Sequence, residues 1–551
     1  MLEMANRWLA GFEQALGEHD AARLETLFHP DSHWRDVLAL TWSIRTLNGR
    51  ADVLKELISI EERIHPTGFR TDPQRTAPRR VTRAGTPAIE AIFQFETAEG
   101  RGNGVLRLLA EENKPPRAWT LLTALDEIKG FEEQRGKSFA ANAGKDPLVL
   151  VVGGGQAGLS IAAHLKQLQV DALIVDRWGR IGDNWRKRYQ ALTLHNQKHV
   201  NHLPYLPFPP NWPAYIPKDK LADWFEAYVE SMELNYWTGT EFKGGDYDAG
   251  AGRWSVVMQR PDGTRRQLHP RHIVLATGAS GIPSLPDIPT LRNFRGKVLH
   301  SSQYGDGKEW QGKNALVIGS GNSGHDIAQD LHSSGAKVTL VQRSPTLIVN
   351  IEPSAQFPYA LYSEGPPLED CDLITASMPL PLARKSHQLL TEQAKQADKK
   401  LLDALERVGF KLDFGEDGTG WQFKYLTRGG GYYFNVGCSD LIVEGKIGLA
   451  QFSELDKLLP GTDLVVLATG YKGQEHLVRK LFGDAIASRV GPIWGFGEEQ
   501  ELRNMFTRTA QPGLWFIAGS FAQCRIYSKY LALQIKACEL GLLPRQREVV
   551  P

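Results

Sequence analysis

The sequence predicts an α/β protein with two Rossmann-type dinucleotide-binding domains behind a separate α+β segment, and three observations predict it. The apolar run Leu148–Val152 leads into Gly153, Gly155 and Gly158 in G-x-G-x-x-G spacing and then into a helical pattern. The same arrangement recurs at Asn314–Ile318 with Gly319, Gly321 and Gly324. Upstream of both, helical periodicity gives way to alternating strand-like runs, the order of an α+β domain. In the repeated motif the first Gly permits a tight turn. The second lets backbone approach a pyrophosphate, and the third lets helix and strand pack closely. Free N–H groups at the helix start then face the phosphates.

Composition narrows the function classes. A chain of 551 residues holds several cores, because single cores rarely grow past about 250–300 residues. The net charge of +1 argues against a nucleic-acid partner. No apolar run reaches the roughly 20 residues of a membrane helix, and the N-terminus lacks the apolar core of a signal peptide, so a cytoplasmic protein without a membrane partner is expected. The four cysteines (Cys371, Cys438, Cys524 and Cys538) form no C-x-x-C pair, which suits a reducing compartment and offers neither a zinc site nor a redox dithiol; no metal is expected.

Taking the elements in order, Trp8, Leu9, Phe12 and Leu16, then Leu24, Leu27 and Phe28, predict helix from Asn6 to Phe28. A second helix is expected over Gly49–Ile64, and strands over Ile89–Phe95, Val105–Leu109 and Trp119–Leu125. Small and charged residues from Gly130 to Lys145 read as a linker closing a domain at 1–145. The stretch Leu27–Val37 loosely resembles the nuclear-transport-factor-like, SnoaL-like cone domain, an α+β fold. Its polar residues His29, His33, Arg35 and Asp36 either line a cone pocket or, the favoured reading, are surface groups flanking a helix end, since no acid–base spacing demands chemistry. A packing or dimerisation module is the expected role, which admits a homodimer.

Behind the first glycine loop, Leu159–Leu168 is an amphipathic helix, and the next strand ends at Asp176, in the slot where a carboxylate meets ribose hydroxyls. Gly179-Arg-Ile-Gly-Asp-Asn-Trp185, then Leu192-Thr-Leu-His-Asn196 and a Pro/aromatic run from Leu203 to Pro210 follow. Here the chain resembles the class B flavin-dependent monooxygenases, which include flavin-containing monooxygenases, Baeyer–Villiger enzymes and the plant YUCCA enzymes. The resemblance implies FAD on the first loop, contacted by Gly153, Gly155, Gln156, Ala157, Gly158, Asp176, Asn184, Trp185, His195 and Asn196. Asn196 is implied to sit beside the flavin as a catalytic hydrogen-bonding group. Asp176 departs from the family's more usual Glu, and His195 from Thr.

His272-Ile-Val-Leu-Ala-Thr-Gly278 and Val465-Val-Leu-Ala-Thr-Gly470 resemble the paired Ala-Thr-Gly strands by which two-dinucleotide flavoproteins pass into and out of the nicotinamide domain. They imply boundaries near 280 and 470, with the FAD domain in two parts (146–280 and 471–551) around an NADPH domain (281–470), and they put Thr469 at the cofactor. Between the first strand and the second loop, Phe294, Gly296, His300 and Tyr304 match the F-x-G-x-x-x-H-x-x-x-Y variant associated with type II flavin-containing monooxygenases. That likeness implies that His300 and Tyr304 couple nicotinamide-domain movement to catalysis. The second loop, Gly319, Ser320, Gly321, Asn322, Ser323 and Gly324, is implied to hold NADPH. Its ribose slot carries Gln342 where the first domain carries an acid, and Arg343 follows it, which favours a 2′-phosphate; NADH is expected to be tolerated. Thr391–Val408 reads as charged helix, and Arg428-Gly-Gly-Gly-Tyr-Tyr433 as a loop, either closing over a ligand or a solvated connection.

At the C-terminus, Leu514–Gly519 is a strand and turn leading into Arg525, Tyr527 and Ser528 and then the helix Leu531–Ala537. The resemblance makes Arg525 a cofactor contact and Tyr527 and Ser528 wall residues. Together these imply a monooxygenase that uses FAD, NADPH and the co-substrate O2. Through an oxygenated flavin C4a adduct it would insert one oxygen atom into a small organic ketone, sulfide or amine. The alternative is a flavoprotein that oxidises NAD(P)H to yield H2O2, or that binds both cofactors in a regulatory role. A disulfide reductase, which also has two Rossmann domains, lacks its dithiol here.

Overall fold

A computed structural model describes residues 1–110, 112–135, 146–278 and 281–545. The N-terminal unit opens with α1 (Leu2–Gly17), whose buried Trp8, Leu9, Phe12 and Leu16 form the predicted apolar stripe. The single helix expected to Phe28 is two. His19 takes a left-handed φ of 54°, and Asp20 caps α2 (Ala21–Leu27) by accepting the Arg23 N–H at 2.9 Å. Phe28 already belongs to a strand. There follow β1 (Phe28–Val37), β2 (Ile44–Asn48), α3 (Arg50–Ile64), β3 (Thr67–Thr71), β4 (Arg79–Arg83), β5 (Thr86–Glu96), β6 (Gly100–Leu109) and β7 (Arg117–Ile128). They form a seven-stranded sheet in the order β2-β1-β7-β6-β5-β3, with β4 on β5.

The interior of this unit is filled by rings. A Cβ on Gly104 would fall 2.1 Å from the Phe93 ring and one on Gly102 2.3 Å from the Phe95 ring, so glycine there makes room for phenylalanine. The expectation that His33, Arg35 and Asp36 are surface groups is overturned. All three are buried on β1, because other parts of the chain cover the strand. Only His29 stays partly exposed, its Nδ1 accepting the Asp31 N–H. The linker expected over 130–145 lies, from 136 on, outside the described residues.

The chain continues as β8 (Val149–Val152), α4 (Gln156–Gln167), β9 (Ala172–Val175), α5 (Asp183–Arg186), α6 (Lys218–Ser231), β10 (Tyr236–Trp237), a three-stranded sheet of β11 (Glu241–Asp248), β12 (Arg253–Gln259) and β13 (Arg265–Leu268), and β14 (His272–Leu275). Then come β15 (Ile282–Pro283), β16 (Lys297–His300), β17 (Asn314–Ile318), α7 (Asn322–Ser333), β18 (Lys337–Gln342) and β19 (Leu347–Asn350). A helical stretch follows: α8 (Leu368–Ala376), α9 (Leu380–Ala397), α10 (Lys399–Arg407) and α11 (Gly420–Arg428). The last elements are β20 (Tyr432–Asn435), α12 (Cys438–Val443), β21 (Gly448–Gln451), α13 (Leu455–Leu458), β22 (Leu464–Leu467), β23 (Tyr471–Lys472), α14 (Gln474–Val490), β24 (Leu514–Phe516) and α15 (Phe521–Glu539).

Two parallel five-stranded sheets carry the glycine loops, in the orders β10-β9-β8-β14-β24 and β16-β22-β17-β18-β21. Their strands are continuous runs of Val, Ile and Leu, as sheets covered on both faces require. The first sheet is completed from the far end of the chain, where Leu514, Trp515 and Phe516 of β24 pair with Ile273, Val274 and Leu275 of β14.

Three local expectations change. The helix foreseen over Thr391–Val408 is the end of α9 and all of α10, parted at Asp398, whose carboxylate accepts the Asn350 N–H and side-chain amide. The Arg428–Tyr433 loop shrinks to a connection, because Gly429, at φ 69°, caps α11 and Tyr432 already starts β20. Arg525, Tyr527 and Ser528 lie within α15, which begins at Phe521, rather than ahead of the helix. Among the described residues no helix is long and apolar enough to cross a membrane.

Candidate active site

The two glycine loops open onto one cavity of about 1640 Å³. At the first, β8 turns through Gly153 at φ 107°, where a Cβ would stand 2.6 Å from the Ala276 carbonyl. A Cβ on Gly158 would lie 1.9 Å from the Gly153 carbonyl oxygen, so α4 can press onto its strand only without one. Gly155 caps α4 without a side-chain hydrogen bond, which leaves the first-turn N–H groups facing the cavity. Asp176, just past β9, accepts the Gly154 N–H at 2.8 Å and the Trp178 N–H at 3.0 Å and lines the same wall. With up to four lone-pair directions on a carboxylate, it keeps capacity for ribose hydroxyls. Asn184 and Trp185 of α5 complete this end; the Asn184 amide lies 2.8 Å from where a Gly155 Cβ would be. Trp185 Nε1 donates to Gln156 Oε1 at 3.4 Å, and Gln156 Nε2 donates to the Gly519 carbonyl at 3.2 Å.

The second loop repeats the geometry. Gly319 turns at φ 116°, its absent Cβ 2.3 Å from the Ala468 carbonyl, and a Cβ on Gly324 would lie 1.9 Å from the Gly319 carbonyl. Asn322 and Ser323 at the start of α7 line the cavity, while Gly319, Ser320, Gly321 and Gly324 form the turn behind them. The Ser320 hydroxyl is 2.6 Å from that of Thr346, and Asn322 Oδ1 accepts the Phe434 N–H at 3.0 Å.

Between the loops sit His195 and Asn196. The Asn196 amide donates to the Tyr359 hydroxyl at 3.0 Å. His195 Nε2 is 3.8 Å from the Asp326 carboxylate of α7, which also accepts the Tyr189 hydroxyl at 2.5 Å. Burial pushes the Asp326 carboxyl above its ordinary range, and His195 and Tyr189 pull against that shift. Tyr359, Trp421, Tyr432 and Phe434 supply an aromatic wall beyond Asn196.

Several expected site residues lie elsewhere. His300 is buried outside the wall. Its Nδ1 accepts the Ser302 N–H at 3.1 Å, so Nε2 carries the proton and donates to the Gly470 carbonyl at 3.1 Å, tying β16 to the turn after β22. Burial lowers its pKa. Thr469 spends its hydroxyl on the Ser284 carbonyl at 2.6 Å, and Arg525 is committed to Asp372 through two 2.7 Å bonds and to the Val200 and His202 carbonyls at 2.8 Å. Neither is in the wall. A buried guanidinium must be paired, and these bonds occupy four of its five N–H groups. Gln342 is buried, its amide exchanging bonds of 2.9 and 2.8 Å with the Lys411 backbone, while Arg343 is exposed and outside the wall. Tyr304 does line the cavity, its hydroxyl donating to Asp330 at 2.6 Å. Tyr527 is in the wall too, but Ser528 is buried outside it.

Sequence reasoning missed other wall residues. Arg177, Lys187 and Arg188 ring the first loop and Lys480 joins them from α14, cations suited to phosphates. Tyr359 and Trp421 come from the stretch least legible in the sequence, while Gly429 and Tyr432 of the expected Arg428–Tyr433 loop also line the cavity. Arg35, Thr82, Arg83 and Ala84 reach the cavity from the N-terminal unit. The four cysteines are buried and unpaired, and burial pushes the Cys371 thiol up to about 11. Among the described residues no group of three or more His, Cys, Asp or Glu side chains is arranged to hold a metal.

The flavin-binding monooxygenase-like family matches residues 148–365, the stretch holding both glycine loops, Asn196 and His300. Indole-3-pyruvate monooxygenase YUCCA1 of Oryza sativa subsp. japonica is 37% identical over 199 residues, which are 36% of this chain and 48% of that protein. Probable indole-3-pyruvate monooxygenase YUCCA3 of Arabidopsis thaliana is 30% identical over 337 residues, 59% of this chain and 72% of that protein. The chain thus spans about half the length of the first of these relatives and more of the second. In fold it is similar to a cyclohexanone monooxygenase mutant from Rhodococcus sp. Phi1 bound to NADP+, with a TM-score of 0.51 at 14% identity over 72% of this chain and 87% of that one. A repeated strand–turn–helix cradle around one cavity, both copies inside the family match and a relative 30% identical spanned over 72% of its length, places this chain in the flavin-binding monooxygenase-like family.

Proposed function

We propose that the chain is an NADPH- and O2-dependent flavin monooxygenase that transfers one oxygen atom to a small organic ketone, sulfide or amine, with FAD at the first loop and NADPH at the second. The observation that carries this reading is the single cavity onto which the starts of both α4 and α7 open, with Asn196 between them. The residues at each loop fit a dinucleotide: a glycine cradle in which a Cβ on the first or third glycine would strike backbone, and helix-start N–H groups without a side-chain cap, with flanking cations at the first loop. When bound, FAD accepts hydride from the nicotinamide and delivers the electrons to O2. Gln156 and Ala157 offer N–H groups to the pyrophosphate, Asp176 receives ribose hydroxyls, and Asn184 and Trp185 close that end. Tyr359 holds the Asn196 amide in the cavity wall by one bond, which leaves its second N–H and its carbonyl to serve the reacting centre. Trp421, Tyr432 and Phe434 exclude water beside it. Behind the wall residues Tyr189 and His195, the buried Asp326 carboxyl, pushed above its ordinary range, can hold a proton at Oδ. His300 and Tyr304 act on this reading as positioning groups, not in direct contact with substrate.

We further propose that the chain divides at 145, 280 and 470 into an N-terminal α+β unit, a two-part FAD unit and an inserted NADPH unit. The preference for NADPH over NADH rests on the missing ribose acid at Gln342 rather than on Arg343.

The test follows NADPH consumption with 18O2 across a panel of ketones, sulfides and amines, and weighs labelled product against released H2O2. Labelled product from one class is expected. Complete conversion of O2 to H2O2 across the panel would overturn the reading in favour of an NAD(P)H-oxidising flavoprotein.

A further inference from the structure

The N-terminal unit, outside the family match, builds part of the chamber. From β1 the Arg35 guanidinium reaches the cavity wall and grips Glu501 in a two-pronged pair, Nε to Oε1 and Nη2 to Oε2, each at 2.7 Å. Its Nη1 donates to the Tyr527 hydroxyl of α15 at 3.2 Å and to the Ala376 carbonyl at the end of α8. The Thr46 hydroxyl donates to Glu501 Oε1 at 2.8 Å, and Asn48 holds the neighbouring Gln500 at 2.8 Å, so two strands of this unit fix the loop that carries Glu501. Glu498 and Glu499 of the same loop also line the cavity.

This is an unusual use of an arginine at a chamber wall. A planar guanidinium fork matches a carboxylate in two parallel bonds and is the standard seat for an anionic ligand. Here a side chain of the protein already occupies that seat. An anionic substrate would have to displace a half-buried carboxylate that accepts three hydrogen bonds, two from Arg35 and one from Thr46, and approach the further acidic side chain of Glu498, whereas a neutral one needs no counter-ion.

We propose that Arg35 and Glu501 are a specificity-determining pair in which Glu501 fills the carboxylate seat of Arg35, reserving the chamber for neutral substrates and rejecting 2-oxo acids. The proposal rests on the monooxygenase reading for the role of the chamber, but the pair itself is tested by binding. Phenylacetone and phenylpyruvate, a neutral and an anionic ketone of similar size, are titrated calorimetrically into the full-length protein with its flavin. The unaltered chain is compared with Glu501→Gln and with the double variant Arg35→Gln/Glu501→Gln.

In Glu501→Gln the negative charge is gone and the amide offers the fork one acceptor instead of two, so phenylpyruvate is expected to displace it and bind on the order of tenfold tighter than to the unaltered chain, with phenylacetone changed by less than about twofold. The double variant should lose the gain, because the guanidinium is gone. Equal phenylpyruvate affinity in the unaltered and Glu501→Gln proteins would overturn the proposal. So would a gain that survives in the double variant, which would assign it to lost repulsion alone. Glu501→Ala serves as a second opening of the seat, and loss of bound flavin in both Glu501 variants would make the pair a structural clamp and also overturn it. Product assays with phenylacetone separate the two readings. No product with discrimination intact sinks the monooxygenase reading, and product without discrimination sinks only the pair.

Discussion

At the residue scale, the site turns on how few groups face the centre of the cavity and how firmly each is held. Asn196 is aimed by one bond from its amide to the Tyr359 hydroxyl. Removing that hydroxyl releases the amide and forfeits a bond worth about 1 kcal/mol. Tyr359→Phe is therefore expected to keep its flavin but lower product per NADPH several-fold while H2O2 rises, which stoichiometry assays would show; unchanged coupling would remove Asn196 positioning from the mechanism. His325 makes a second prediction, about pH. Its ring stacks on Tyr433 at 4.0 Å, and burial lowers its pKa from 6.5 to about 4; His202 and His387 are likewise lowered to about 4, chiefly by burial. Between those values the unfolded chain binds protons that the folded chain refuses, so stability is full above pH 6.5 and falls as pH drops toward 4. Thermal melts from pH 7 to 4 should show this decline, and His325→Gln should flatten part of it.

At the element scale, the two strand–turn–helix units are alike in backbone but differ in what they hold, which makes parallel substitutions informative. In each, a Cβ on the third glycine would stand 1.9 Å from the carbonyl of the first. Gly158→Ala should therefore push α4 off its strand and empty the flavin site, read as FAD per chain. Gly324→Ala should leave FAD in place and weaken NADPH, read as a rise in KM for NADPH of at least about tenfold. If Gly324→Ala lost FAD and kept its NADPH affinity, the assignment of the loops would be reversed. These elements were legible because their cause is local: an apolar run, a glycine spacing and an amphipathic helix are written in consecutive residues. The same locality explains the misreadings. In Asn6–Phe28 the continuous apolar spacing masks the break at His19, which Gly17 and the N-cap Asp20 mark, and the glycines of 429–431 signal a turn equally well whether it is a lid or a helix cap.

At the scale of the whole molecule, distant segments are joined by buried ion pairs. Arg525 of α15 pairs with Asp372 of α8, and Arg107 of β6, wholly buried, pairs with Glu90 at 2.9 Å while donating to Ser377 at 2.8 Å. Glu90 is held down to about 2 against its own burial by Arg107, Arg83 and Arg79. Breaking such a pair on one side leaves an uncompensated buried charge. Asp372→Ala is expected to cost about 3–5 kcal/mol, seen as a lower midpoint in urea, where a surface ion pair would cost less than about 1 kcal/mol. A change below about 1 kcal/mol would mean that water or another acid reaches Arg525.

The sequence alone determined the two glycine cradles, the helices and strands around them, Asp176 as a candidate, and the absence of a C-x-x-C pair, because each of these depends on neighbours within a few turns of chain, while Asn196 became a candidate only through the family resemblance. It could not determine which side chains of that set were free. Arg525, Thr469 and His300 have the right chemistry, but partners at Asp372, Ser284 and Gly470, remote in sequence or in another element, consume their hydrogen bonds. Nor could it place Arg35 opposite Glu501, 466 residues away. Only the tertiary structure brings those two charges together, because burial inside a shared wall, and not any local pattern, is what makes them a pair.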